Sequence, residues 1–229
     1  MAAATIFYPA SVVPNRFGMG RPALESPQNA AWDGDQTAFA PLVFREWNTL
    51  EGITEKLLVP ARRELYSQDT QPDYVYIIET GLVKLVRLTD EGGESILGLR
   101  SDGWVMDAAS AVLNCPHSSS AVTLTPCTIR RAHRNSFMQV LNSSPALTRD
   151  LNRLICREIH ADQEQQIEFR NGTAQGRLER LVRELSRITR DPNPLDSLPL
   201  KKFEIAQLLS ITPEHLSRLL RQREDCRMA

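Results

Sequence analysis

Residues 201–223, KKFEIAQLLSITPEHLSRLLRQR, predict two short helices joined by a tight turn. Thr212 is a suitable N-cap for the second helix, and Pro213 follows at a position where a missing N–H costs nothing. Apolar residues are spaced so that the two helices pack on each other: Phe203, Ile205, Ala206 and Leu208 in the first, and Leu216, Leu219 and Leu220 in the second. The stretch is therefore typical of a helix-turn-helix, which places its second helix in the major groove of DNA.

The second helix carries a polar face opposite its leucines. Glu214, Ser217, Arg218 and Arg221 stand at positions i, i+3, i+4 and i+7, which share one arc of a helix. A carboxylate, a hydroxyl and two guanidinium groups are suited to contact base edges and phosphates. The alternative is an ordinary surface helix that turns its charges to water, with Glu214 complementing the helix dipole.

Charge is unevenly distributed along the chain. The 229 residues carry a formal net charge of −1 at pH 7, which alone argues against nucleic-acid binding. Residues 170–229, however, contain 12 basic and 8 acidic side chains, whereas the residues before them contain 15 and 20. This pattern favours an acidic body joined to a module that contacts phosphates, with double-stranded DNA as the partner.

The changes of pattern along the chain predict four segments and an α+β fold. Residues 1–40 are rich in Ala, Pro, Gly and Ser and predict a flexible leader. Residues 41–144 begin with a short helix expected over 48–58 and continue as β-rich runs separated by turn signals, which predicts a β-roll sensory domain. Residues 145–171 predict one long helix, and residues 172–229 predict the helix-turn-helix domain.

The long helix carries an apolar stripe with little sequence nearby to cover it. The stripe consists of Leu147, Leu151, Leu154, Ile155 and Ile159. Its natural partner is the same helix of a second chain, so the stripe predicts the interface of a two-fold homodimer. The alternative is that the helix packs only on its own β domain.

This order of elements resembles the cyclic-AMP receptor/fumarate-nitrate regulator (CRP/FNR) family of bacterial transcription factors. The resemblance covers roughly residues 42–224. It is carried by YVYIIETGLVKLVR (74–87), TLTPCTI (123–129), GRLERLVREL (176–185) and EIAQLLSITPEHLSRLLR (204–221). It implies a cyclic-nucleotide-binding-like jelly roll, a dimerisation helix and a C-terminal helix-turn-helix. It also implies regulation of transcription, with RNA polymerase or another protein as a further partner.

The resemblance assigns roles to the helix-turn-helix residues. Glu214, Ser217 and Arg218 match the E-x-x-S-R pattern of the branch that recognises TTGA-type half-sites. Glu214 is expected to accept from a cytosine amine and Arg218 to fork onto guanine. The remaining expected DNA contacts, which position the backbone, are Arg221, Lys201, Lys202 and Thr212.

The family's cyclic-nucleotide pocket is altered in this sequence. The family has F-G-E-L-A followed by R-[ST]-A, whereas this chain has Val105–Ala109 (VMDAA) and then His117-Ser-Ser. The resemblance places the altered pocket at Asp107, Ala108, His117, Ser118, Asp162 and Gln163. Because a neutral imidazole cannot pair bidentately with a phosphate, we do not expect cyclic AMP to bind in the usual way.

Neither a cofactor nor a metal site is expected. The family's iron–sulfur branch needs clustered cysteines near the N-terminus, and the first cysteine here is Cys115. Cys115 and His117 resemble the ligands of a haem-sensing branch; the alternative is a surface loop with an incidental Cys and His. A smaller departure is Asp69, which stands where the family has a turn glycine and tolerates the left-handed region.

The sequence is compared with three functional classes of protein. The first is a dimeric DNA-binding regulator, and the second is an interaction module of the same fold that has lost independent DNA recognition. The second draws on the end of the chain at Ala229, where the family's two-stranded wing is expected to be missing. An enzyme is not expected, because no nucleophile–base pair or phosphate-cradling glycine loop is evident. No segment reads as a signal or membrane span, so we expect a cytoplasmic protein without a membrane partner.

Overall fold

A computed structural model describes residues 50–89 and 92–228 of the chain. The expected leader at 1–40 lies outside these residues. The helix expected over 48–58 is present at residues 50 and 51 but wrong for residues 54–58, because Thr54–Val59 form a strand. All six residues of that strand pair antiparallel with the strand at Cys127–His133. The long-range partner satisfies their backbone groups, and this outweighs the local preference for helix.

Within the described residues, eight strands form the expected β-roll, in two four-stranded antiparallel sheets. They are β1 (Thr54–Val59), β2 (Glu64–Tyr66), β3 (Tyr74–Thr80), β4 (Val83–Leu88), β5 (Glu94–Arg100), β6 (Val105–Met106), β7 (Ser120–Thr123) and β8 (Cys127–His133). One sheet has the order β1-β8-β3-β6 and the other the order β2-β7-β4-β5. Strand β5 therefore lies at a sheet edge, next to β4 alone.

Two tight turns of the roll require unusual backbone conformations. Asp69 has φ +63°, so the left-handed turn expected at this residue is present. Gly81, between β3 and β4, has φ +108°. A Cβ at Gly81 would lie 2.6 Å from Sγ of Cys127 and 2.8 Å from the carbonyl oxygen of Pro126. Only glycine can be accommodated where these two segments of the backbone approach each other.

Seven helices that lie wholly within the described residues follow or interrupt the strands. They are α1 (Ala108–Leu113), α2 (Arg134–Ser143), α3 (Pro145–Asn171), α4 (Ala174–Thr189), α5 (Pro194–Ser197), α6 (Lys202–Leu208) and α7 (Pro213–Met228). Helix α3 has the predicted bounds, 145–171. The Ser144 hydroxyl accepts a hydrogen bond from the Leu147 N–H at 3.2 Å, which makes Ser144 the cap of that helix.

The interior of the roll also receives the first half of α3. Leu147, Leu151 and Leu154 are at most 3% exposed and pack in one core with Ile77 and Phe137. Each such side chain contributes about 1.5–3 kcal/mol by leaving water. These three leucines are therefore covered by their own chain, and their assignment to a dimer interface is wrong. In the same stripe, Ile155 is half-buried and Ile159 is 53% exposed.

A second core joins the C-terminal helices to the outside of the β4–β5 hairpin. Leu178, Ile205 and Leu216 are each at most 3% exposed and share this core with Val86 and Ile96. The helix-turn-helix thus packs on the β-roll through apolar side chains. Among the described residues, no helix is both long and apolar enough to cross a membrane.

Candidate DNA-binding face and effector cavity

Local chemistry fixes the turn between α6 and α7. Ser210 adopts the left-handed region with φ +51°, and the Ile211 N–H donates to the Ala206 carbonyl at 3.0 Å. Thr212 then caps α7, because its hydroxyl accepts the His215 N–H at 3.3 Å. The cap and turn set the direction of α7 relative to α6.

Helix α7 separates a buried face from an exposed polar face, as its sequence predicted. Leu216 is fully buried and Leu219 is 7% exposed, whereas Glu214, Arg218 and Arg221 are exposed. Five residues rotate an α-helix by about 500°, so the side chain of Arg221 lies about 140° around the helix axis from that of Leu216. The exposed face leaves three charged side chains accessible to a large partner.

The carboxylate of Glu214 is held in its charged form. Its pKa is lowered chiefly by a hydrogen bond from its own backbone N–H, then by the Thr212 hydroxyl and by the nearby charge of Arg218. A charged carboxylate is a hydrogen-bond acceptor only. Glu214 is therefore set to accept from a donor such as an amine group on a base edge.

The other residues of the expected set differ in their surroundings. Ser217 is half-buried, and its hydroxyl donates to the Pro213 carbonyl at 2.9 Å, so it is partly occupied within the helix. Lys201 and Lys202 are exposed at the start of α6. Phe203 does not pack under α7 as expected, because it is 42% exposed and lies 5.6 Å from the Lys201 ammonium.

A cavity of about 380 Å³ lies between the β-roll and α3. Asp107, Ala108, Ser118 and Asp162 line it, as expected for the altered pocket, but His117 and Gln163 do not. Gln163 is exposed on α3. The remaining wall is mostly apolar: Leu85, Val105, Met106, Leu154, Ile155 and Ile159.

His117 lies buried behind this cavity, so the interpretation of an incidental surface histidine is wrong. It is 3% exposed and stacks on the Tyr66 ring with centroids 4.3 Å apart. Its Nδ1 lies 2.8 Å from Oδ2 of Asp107. The two atoms are within ion-pair distance, so the imidazole faces the carboxyl group rather than the cavity.

Burial governs the carboxyl groups of the cavity. It raises the pKa of Asp107, an effect that the Ser110 hydroxyl and His117 partly offset. The pKa of Glu158 is raised by burial first and also by the charge of Asp162, against the opposing effect of Arg100. Both groups therefore bind a proton more readily than they do in water.

Arg100 supplies the positive charge of the cavity. It is the one Lys or Arg among the described lining residues. Its guanidinium lies 4.3 Å from the Trp104 ring centroid, donates to the Leu99 carbonyl at 3.0 Å and approaches Glu158 at 3.4 Å. Sequence reasoning missed Arg100, Glu158 and Tyr66. Of these three residues, only Arg100 had a sequence signal, because it ends a predicted strand near the expected pocket.

Comparison with known proteins agrees with this architecture. Residues 56–144 match the family model of the cyclic nucleotide-binding domain. The transcriptional activatory protein AadR of Rhodopseudomonas palustris is 24% identical over 182 residues, which cover 76% of this chain and 73% of that protein. The fumarate and nitrate reduction regulatory protein of Yersinia pestis is 26% identical over 179 residues, covering 76% and 71%.

Among solved structures, FixK2 from Bradyrhizobium japonicum has the same fold. It superposes with a TM-score of 0.64 at 21% identity, covering 76% of this chain and 85% of that one. A cyclic-nucleotide-binding-like β-roll joined by a long helix to a helix-turn-helix defines a class of protein with two domains. Within this class, the chain is similar to transcription regulators of the CRP/FNR family.

Proposed function

We propose that this protein is a dimeric transcription regulator that reads TTGA-type palindromic half-sites in DNA with α7. The observation that carries the proposal is the exposed row of Glu214, Arg218 and Arg221 above buried leucines.

The chemistry of the row fits the single G·C pair of a TTGA sequence. The guanidinium of Arg218 can fork onto O6 and N7 of guanine, and the charged carboxylate of Glu214 can accept from N4 of cytosine. Each such contact discriminates against a wrong base by about 1–3 kcal/mol. Arg221, Lys201, Lys202 and Thr212 are assigned to the phosphate backbone, with Ser217 serving a base edge or a phosphate.

Two copies are needed to read a palindrome. Helix α3 presents Ile159 and Ile167 to solvent, at 53% and 59% exposure, in its second half. Their burial against a second α3 supports the dimer proposal and would place two α7 helices at half-sites about one helical turn of DNA apart.

The cavity chemistry disfavours cyclic AMP as the signal. A buried phosphodiester needs a compensating cation. Among the described residues, His117 is engaged with Asp107, and Arg100 already faces Glu158 and the Leu99 carbonyl. The charge of Asp162 adds to the excess of carboxylates that border the cavity. A phosphate would therefore meet repulsion where the family provides an arginine.

The surroundings of the protein follow from this role. We infer that it works in the cytoplasm and that it contacts RNA polymerase or another protein once bound at a promoter. Regulation, whether by activation or repression, would act by changing how often the α7 pair is aligned with the two half-sites.

A band-shift experiment tests the proposal. The wild-type protein should bind a TTGA palindrome more tightly than a scrambled duplex of the same length and composition. Arg218→Ala should weaken specific binding about 10- to 100-fold, since one bidentate base contact is lost. Arg63→Ala, an exposed arginine of the β-roll, serves as the matched control and should bind as the wild type does.

The opposite outcome would favour the second class. Equal affinity of the wild type for the palindrome and the scrambled duplex, at low salt, would mean that the fold has lost independent DNA recognition. The protein would then act as an interaction module, and the basic C-terminal helices would serve a protein partner.

A further inference from the structure

The first helix of the helix-turn-helix is attached to the edge of the β-roll. Side chains of α6 and of the β4–β5 hairpin share one apolar core, in which Val86 and Ile96 meet Ile205 and its neighbours. Val86 and Ile96 are each 6% exposed and Ile205 is 3% exposed. Apolar contacts have little directional preference, so the polar contacts at the edge of this core orient α6 relative to the β4–β5 hairpin.

Gln207 of α6 makes the most specific of these polar contacts. Its side-chain Oε1 accepts the Ile96 N–H at 3.1 Å, and its Nε2 donates to the Glu94 carbonyl at 2.9 Å. Both backbone groups belong to β5, which is an edge strand. One amide thus occupies a donor and an acceptor that a neighbouring strand would otherwise take. Since both bonds must form together, they fix the position of α6 along the strand.

A buried ion pair fixes α6 at a second point. The ammonium of Lys84, on β4, lies 2.5 Å from Oε1 of Glu204, and the two side chains are only 15% and 7% exposed. Glu204 also accepts the Lys201 N–H at 2.7 Å, which caps α6. Burial opposes the charged form of Glu204, but Lys84 and the Lys201 N–H more than offset it, so the pKa of Glu204 is lowered. Both partners are charged, and the pair attracts strongly at this depth.

In this attached arrangement, the residues proposed to read DNA are accessible. Glu214, Arg218 and Arg221 are exposed, while Glu204 and Gln207 of α6 contact Lys84, Ile96 and Glu94 of the roll. The attachment therefore costs no part of the reading face. It also reduces the rotational freedom that the motif would have on a free linker.

We propose that Gln207, together with the Lys84–Glu204 pair, positions α7 for reading DNA without touching the DNA. This inference rests on the proposed function. An attached helix-turn-helix is competent to bind, and a detached one must first find the same orientation. The measured affinity is thus reduced in proportion to the fraction of molecules that are attached.

Gln207→Met tests the proposal, because methionine keeps the length of the side chain and loses the amide. Binding to the TTGA palindrome should weaken about tenfold, since the two hydrogen bonds no longer hold the attached state. The salt dependence of binding should stay the same, because no phosphate contact is removed. Gln71→Met, at an exposed loop position of the roll, is the matched control.

Hydrogen exchange provides a readout that does not depend on DNA. The Ile96 amide should exchange faster in Gln207→Met than in the wild type, whereas the Ile77 amide in the centre of β3 should not change. Lys84→Met gives a second, independent release of α6 and should reproduce the loss of DNA affinity, even where Gln207→Met folds poorly.

The two proposals fail in different ways. Absence of specific binding in the wild type contradicts the proposed function. Faster Ile96 exchange in Gln207→Met with unchanged or tighter DNA binding overturns the positioning role, because the attachment would then be irrelevant or inhibitory. Unchanged Ile96 exchange overturns the attachment itself.

Discussion

At the scale of single residues, the polar face of α7 could be predicted from the sequence, whereas the residues that line the cavity could not. Glu214, Arg218 and Arg221 are exposed because the 3.6-residue period relates them directly to the leucines on the other side. Arg100 and Glu158 meet in the cavity although they lie 58 positions apart in the chain. No local pattern encodes such a pair.

Gly81 gives a prediction about stability. Gly81→Ala should lower the free energy of unfolding by about 3 kcal/mol, because the positive φ is strained for alanine and the new Cβ meets the Pro126 carbonyl and the Cys127 side chain. Urea denaturation followed by circular dichroism measures the change. Gly52→Ala is the control, since a Cβ at Gly52 meets nothing within 4 Å. Equal losses in the two variants would contradict the proposed crowding at Gly81.

Glu158 gives a prediction about pH. The folded state raises the pKa of this carboxyl group above its value in the unfolded chain. Its contribution to stability is therefore fully present below the unfolded value, about 4.3, and is lost as the pH rises through the folded value. Glu158→Gln removes that loss. Between pH 4 and pH 7 the stability of the variant relative to the wild type should improve, as measured by urea denaturation at each pH.

Two results would contradict the assignment at Glu158. A stability difference that stays constant with pH would mean that the carboxyl group titrates alike in the folded and unfolded chains. A difference that moves against the variant as the pH rises would mean that the ion pair with Arg100, at 3.4 Å, dominates the effect of burial.

At the scale of elements, the bounds of α3 were predictable and its contacts were not. Proline starts the helix at residue 145, and residues 171–172, Asn-Gly, favour its end, so residues 145–171 could be bounded from sequence. The stripe of leucines gives the same signal whether it packs on a sheet or on a second chain. In this structure Leu147, Leu151 and Leu154 pack on the sheet.

The strand at Thr54–Val59 shows the same limitation. Its segment, TEKLLV, has no turn residue or alternation that marks a strand, and its β character comes from six pairings with residues 68–78 positions away. Strands bounded by clear turn residues, such as β3 before Gly81, were predictable because their ends are marked locally.

The dimer proposal yields a prediction on α3. Cys156, Ile159, Gln163, Gln166 and Arg170 are exposed and separated by alternating steps of three and four residues, the spacing of a coiled-coil seam. Cys156 should therefore face its own copy across the two-fold axis, within the 4.4–6.8 Å between Cα atoms that a disulfide needs. Mild oxidation with copper–phenanthroline should produce a covalent dimer on a non-reducing gel.

Cys156→Ser should abolish this cross-link, whereas Cys115→Ser, at a half-buried position, should leave it intact. A protein that light scattering shows to be dimeric, but that does not cross-link through Cys156, would place the dimer interface on another face of the molecule.

At the scale of the whole molecule, one hairpin separates the two proposed sites. Leu85 and Arg100 line the cavity, whereas Lys84 and Val86, the neighbours of Leu85 along β4, face α6. Successive residues of a strand point to opposite faces, so the hairpin is two-sided by construction. A displacement of its cavity side would move the strand to which Gln207 binds.

The shared core has a consequence for how the chain evolves. A helix-turn-helix that completes its interior with side chains of Val86 and Ile96 is not an interchangeable cassette. New operator preferences can arise freely at outward positions such as Glu214, but grafting a whole reading unit from a relative would leave mismatched surfaces unless the roll changed alongside it. Substitutions in the helix-turn-helix core and in the part of the β-roll that it contacts should therefore occur together.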